Sequence, residues 1–123
     1  MVVSETFANQ LTAYDVEADG SLSNRRVYKS LGERTPDGIC VDKEDGIWVS
    51  SFATGEFVRV TPEGEISDLI VAPDKRAVAC ALGGTDGRTL YCSTFAGHLE
   101  DIAELKRLGA IETVQVEVPG VGF

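Results

Sequence analysis

The sequence predicts an all-β fold, a partial β-propeller of about three blades, half of a six-bladed ring. The blades are expected to be four-stranded and antiparallel, with one short helix near the C-terminus. The first supporting observation is a repeat. Ser/Thr-Phe-Ala occurs at Thr6-Phe7-Ala8, Ser51-Phe52-Ala53 and Thr94-Phe95-Ala96, with the phenylalanines 45 and 43 residues apart. The second is that the flanks keep the same beat. DGIWVSS and DGRTLYCST each run from an Asp-Gly turn into an aromatic strand, while LTAYDVEADGSL and FVRVTPEGEI each join two strands through an acidic glycine turn. The third is the size of the unit. Strands joined by tight turns, four to a repeat of roughly 40 to 45 residues, make a propeller blade. A solenoid of paired helices would show a 3.6-residue period instead.

Taken in order, the repeats cover about residues 1–33, 34–74 and 75–123 of a single half-propeller domain. Alternating apolar positions and turn residues place strands at about 1–6, 11–16 and 24–30, then 37–42, 46–51, 56–61 and 65–70, then 77–82, 88–93 and 110–118. Leu99, Ile102, Leu105 and Leu108 keep helical spacing, and Gly109 suits the position after a helix end, so a helix is expected over 99–109. The second repeat has four strands beginning with DGICVD, and the third is expected to have four beginning with RAVACAL. The first has three, its innermost strand falling before Met1. A propeller protects its edges only by closing a ring of four to eight blades. The expected partner is therefore a second copy of this chain, related by a two-fold axis, or a missing N-terminal half.

Composition narrows the function classes. A chain of 123 residues is one domain's length, and its formal net charge is -9. Its densest basic stretches are Arg25-Arg26 and Lys106-Arg107, too sparse for a phosphate backbone or an anionic membrane surface, so neither nucleic acid nor membrane is an expected partner. The N-terminus lacks the charged and apolar regions of a signal peptide, and no stretch approaches a membrane span. Cys40, Cys80 and Cys92 lie in apolar runs without CxxC spacing, which suits buried thiols in a reducing cytoplasm.

The candidate site residue is Asp37, in TPDGICVD. Pro36 and Gly38 make it a good turn residue. The same position opens the innermost strand of the second blade, at a channel mouth, where a carboxylate can hold a hard cation or act as a base. Residues alone leave both readings open. The run ICVDKEDGIWVSSFATGEFVRVTPEGE, preceded by TPDG and followed by IETVQVEVPGVG, resembles the C-terminal half of the senescence-marker-protein/gluconolactonase (regucalcin-like) family. The resemblance extends through VSETFANQLTAYDVEADGSLSNRRVYKSLGERTPDG. It implies a six-bladed propeller with one divalent metal, calcium or zinc, at the channel mouth, and hydrolysis of sugar lactones. It also implies that Asp37 is both a metal ligand and the catalytic base.

Two further metal ligands implied by the resemblance, an Asn and a Glu, have no match here; Asn9, Asn24 and Glu5 do not fit their motifs. The functional expectation is a half propeller derived from metal-dependent lactonases that needs self-association or its missing half for activity. The alternative is a non-catalytic fragment serving as a binding or oligomerisation module. Other signals read as structure. The run from Asp15 to Gly20 imitates a calcium loop but lies between strands, and Asp42 to Gly46 is another acidic turn. His98 is expected at the surface or at a helix cap, Cys40 and Cys80 in the core, and Trp48, Tyr91 and the repeated phenylalanines between blades.

Overall fold

The computed structural model describes residues 1–122. Three antiparallel sheets follow one another along the chain. The first contains β1 (Val2–Glu5), β2 (Gln10–Val16) and β3 (Leu22–Ser30). The second contains β4 (Pro36–Val41), β5 (Ile47–Ser51), β6 (Glu56–Val60) and β7 (Ile66–Val71). The third contains β8 (Arg76–Gly83), β9 (Thr89–Phe95) and β10 (Gly109–Gln115), with helix α1 (Leu99–Ala103) between its last two strands.

The middle blade carries the core because its strand alternation is apolar on both faces. Ile47, Val49, Val58 and Val60 point one way and pack with Leu11 and Leu31 against the first blade. Trp48 and Phe57 point the other way and pack with Ala77, Leu90 and Cys92 of the third. Each strand of a hairpin thus supplies alternate residues to alternate interfaces, and the stack of sheets follows from the period of two.

Between Val41 and Ile47 the turn does more than reverse the chain. Asp42 is wholly buried, and its carboxylate accepts Arg59 Nε at 2.6 Å, Gly46 N at 2.9 Å and Glu44 N at 3.0 Å. Gly46 is required there, because a Cβ would lie 2.4 Å from Arg59 Nη2 and 2.5 Å from Asp42 Oδ2. The acidic turn expected from the sequence is therefore also a buried ion pair. The other acidic turn is a plain hairpin, as expected, with Asp15 paired to Arg26 at 3.0 Å and Asp19 accepting from Ser21.

Several expectations need correction. The third sheet has three strands, not four, among the described residues. Beyond β10 the chain turns through Pro119, which has no N–H to donate to a ladder, and Gly120 bridges instead to Asp42 of the second blade. The helix spans Leu99–Ala103 rather than 99–109, and none of its residues is buried. Its apolar stripe has little to pack on, and a helix lacking a packed face gains too little to persist. Leu105 adopts left-handed backbone at φ 56°, and Gly109 opens β10. Trp48 does pack between blades, but Phe7 is 99% exposed and Tyr91 40% exposed, while Phe52 and Phe95 are half-buried. Cys92 is buried; Cys40 and Cys80 are only half-buried, with their sulfurs 3.7 Å apart. No helix among the described residues is long and apolar enough to cross a membrane.

Candidate functional site

Asp37 is the second residue of β4, and a register shift between Pro36 and Ile39 interrupts its pairing with β5. Such a bulge re-aims a side chain that regular pairing would fix. Three contacts hold it in place. Pro36 is buried on one side, and Ser4 Oγ donates to the Asp37 carbonyl at 2.6 Å. On the other side Gly38 sits against β8, so closely that a Cβ there would lie 2.6 Å from Ala79 Cα and 2.9 Å from Ala79 Cβ. The Pro-Asp-Gly triplet therefore does two jobs, with Gly38 allowing β4 and β8 to meet and Asp37 left exposed beside them.

The Asp37 side chain lines a cavity of about 550 Å3 together with Phe7, Phe52, Arg76, His98 and Ile102. That volume lies in the range of roughly 300–1,000 Å3 usual for small-molecule sites. Partial desolvation by these walls pushes the Asp37 carboxyl above the ordinary carboxylate range. Desolvation disfavours the charged form, and no ion pair among the described residues opposes it. Asp37 is exposed at the cavity rim, and this partial desolvation makes it a somewhat stronger base than a fully solvated carboxylate.

The repeated Ser/Thr-Phe-Ala motif reappears at this site. Phe7 and Phe52 face the cavity rather than a blade interface, and the Ala53 carbonyl accepts from Arg76 Nη1 at 2.8 Å. Arg76 Cζ stands 5.9 Å from the Phe52 ring centroid, and Nη2 lies 3.4 Å from His98 Nδ1. His98 is exposed at the N-cap of α1, as expected, with its backbone N–H donated to Asp101 at 2.8 Å. The sequence pattern placed both phenylalanines between blades and singled out nothing at Arg76. The repeat carried a signal for the phenylalanines, whereas Arg76 is singled out only by its contacts with Phe52 and His98, distant in sequence.

Among the described residues the arrangement lacks the ligand set that the metal implied by the resemblance requires. No group of three or more His, Cys, Asp or Glu among them could hold a metal ion. Asp37 stands without the neighbours a cation requires, so this chain's residues do not by themselves fit a metal centre. Asn9 is turned to the Arg34 carbonyl, Asn24 to Asp15 and Glu5 to Arg25, none of them towards Asp37.

An all-β segment of stacked antiparallel sheets with a carboxylate on a cavity wall is the class that fold and cavity define. The family description SMP-30/Gluconolactonase/LRE-like region matches residues 1–96, and the chain belongs to that family. It is 39% identical over 84 residues to regucalcin of Danio rerio, covering 66% of this chain and 28% of that one. It is 29% identical over 122 residues to a 6-deoxy-6-sulfogluconolactonase of Pseudomonas putida, covering 95% of this chain and 42% of that one. Among solved structures it superposes on a luciferin-regenerating enzyme with a TM-score of 0.81 at 24% identity, over 98% of this chain and 42% of the other. It also superposes on a calcium-binding regucalcin of Agrobacterium tumefaciens, with a TM-score of 0.77 at 22% identity, over 97% of this chain and 42% of that one. These two likenesses establish the fold. The chain spans less than half the length of each of these relatives.

Proposed function

We propose that this chain is the part of a lactone-hydrolysing propeller that carries the catalytic carboxylate. The observation that supports it is the placement of Asp37, partly desolvated and without an ion pair among the described residues, on the wall of a cavity of small-molecule size. In this reading Asp37 takes a proton from a water whose oxygen adds to the lactone carbonyl carbon. The ring C–O bond then breaks, its oxygen is protonated, and the product is the open hydroxy acid. The divalent metal of the family, calcium or zinc, would need ligands from outside this chain, and Asp37 would contribute one.

The rest of the ring comes from a second copy or from further blades. Both ends of the stack favour such a partner. Val3, Thr12 and Val27 are register partners on the first sheet, and Val3 and Val27 are 36% and 55% exposed. On the third sheet Tyr91 and Ile111 share a face and are 40% and 66% exposed. The free thiols suit a reducing cytoplasm.

The test is proton release from δ-gluconolactone above the spontaneous rate, with calcium or zinc and with a chelator, for the parent chain and Asp37→Asn. Metal-dependent hydrolysis lost in Asp37→Asn is expected. Equal rates in parent and variant would refute the role of Asp37. A second reading, a non-catalytic binding or oligomerisation module, is favoured by the lack of a metal-holding cluster among the described residues. It predicts no hydrolysis together with unchanged assembly in Asp37→Asn.

A further inference from the structure

The cavity that contains Asp37 also contains a cation without a carboxylate partner. Arg25, Arg26, Arg34 and Arg59 each pair with an acidic side chain. Arg76 forms no ion pair among the described residues. Its two polar contacts are the Ala53 carbonyl at 2.8 Å and His98 Nδ1 at 3.4 Å, and the Phe52 ring lies 5.9 Å from its Cζ. These contacts fix the guanidinium while engaging only part of its five N–H donors.

The contact with His98 sets the imidazole as well. A guanidinium has no acceptor, so a hydrogen bond across this 3.4 Å contact runs from Arg76 Nη2 to His98 Nδ1, the tautomer with its N–H on Nε2. The cavity wall at this point presents a guanidinium beside an imidazole, with Glu100 of α1 on the same lining and engaged in no ion pair with Arg76. Of the α1 carboxylates, Asp101 is committed elsewhere, since it accepts Lys106 Nζ at 2.6 Å and the His98 backbone N–H at 2.8 Å. In a chain of net charge -9, whose general field repels anions, such a fixed cation is a local exception.

We propose that Arg76 and His98 form an anion-binding arm of the Asp37 cavity, which selects a small sugar-like ligand carrying an oxyanion substituent such as a phosphate or sulfonate. This rests on reading the cavity as a sugar-lactone site and names the substrate class that site prefers. Planar guanidinium donors suit tetrahedral oxyanions, which they can engage through two parallel N–H bonds. Phe7 and Phe52 supply apolar walls for the sugar ring, and Asp37 faces the same space.

The single histidine of the chain gives an unambiguous reporter. We would follow the His98 ring resonances by NMR while titrating glucose 6-phosphate, glucose and inorganic phosphate into the intact 123-residue chain. Expected is a saturable shift with glucose 6-phosphate, no saturable shift with glucose, and weaker binding of phosphate alone. Arg76→Gln keeps a donor for the Ala53 carbonyl but removes the charge, and should weaken glucose 6-phosphate binding by roughly 10- to 100-fold. Arg76→Lys should retain part of the binding, and backbone amide spectra of both variants check the fold. Equal response to glucose and glucose 6-phosphate, or unchanged binding in Arg76→Gln, would overturn the proposal. Inorganic phosphate binding as tightly as glucose 6-phosphate would overturn its sugar component. Arg76-dependent binding without lactone hydrolysis would defeat the lactonase reading and leave this inference standing. Hydrolysis without preference for an anionic substituent would do the reverse.

Discussion

Replacing Asp42 by alanine should destabilise the chain more than any surface change, and the structure sets the size of the effect. The substitution removes the acceptor of Arg59 Nε at 2.6 Å and of two turn N–H groups, at Gly46 and Glu44. Arg59 is only 8% exposed, and its Nη2 has no hydrogen-bond partner even in the parent; Glu44 Oε2 stands 3.6 Å from it. The cation would be left buried without its counter-ion, a change that costs about 3–5 kcal/mol. Set against a typical stability of about 5–15 kcal/mol, that is a large share. It corresponds to a fall in Tm of roughly 10–25 °C for a domain of this size. Urea titration of parent and Asp42→Ala, followed by Trp48 fluorescence, reads the loss directly. The double variant Asp42→Leu with Arg59→Met should recover most of it, because the pair's desolvation penalty disappears with its charges. A loss below about 1 kcal/mol in Asp42→Ala would refute the view that this ion pair ties β4 to β6.

Further outcomes follow from the same contacts. Gly38→Ala should cost about 1–3 kcal/mol in urea titration, because its Cβ would meet Ala79 backbone at 2.6 Å and neither strand can yield by a rotamer change; an unchanged midpoint would contradict the close approach of β4 and β8. Asp37 has a folded pKa above its unfolded value of 3.8, so the native state binds its proton more tightly than the unfolded chain. Its stabilising contribution is present when it is protonated and is lost as pH rises from the unfolded value through the folded one. Asp37→Asn should flatten that part of the stability profile and leave neutral-pH stability equal or higher, whereas a loss at neutral pH would show an unrecognised partner. Cys40 donates to Cys80, which pulls the Cys80 thiol down and pushes Cys40 up. With the sulfurs 3.7 Å apart, diamide should join Cys40 to Cys80 and leave Cys92 free; peptide mapping that finds Cys92 in the disulfide would contradict this arrangement.

Most of the fold was legible because its signals are local and repeated. Alternation and turn residues located all ten strands to within a few residues, and the spacing of the phenylalanines joined them into blades. What the sequence hid depends on contacts between elements. Leu99, Ile102, Leu105 and Leu108 have helical spacing, yet no packed surface meets the stripe, so the helix stops at Ala103. Asp42 reads as a turn residue until Arg59, seventeen positions away, is brought onto it by the β5 and β6 pairing. Asp37 was readable as a candidate because Pro and Gly flank it at the start of an apolar strand. Arg76 was not, because its significance comes from lying beside Phe52 and His98, each more than twenty positions away.

The most direct test of the proposed closed ring is the molar mass of the chain in solution, by light scattering during size exclusion, with and without divalent metal. The account predicts twice the 13.2 kDa chain mass, as two three-bladed halves cover each other's exposed end faces. A single-chain mass under both conditions would contradict closure by a second copy, and with it any activity of this polypeptide on its own.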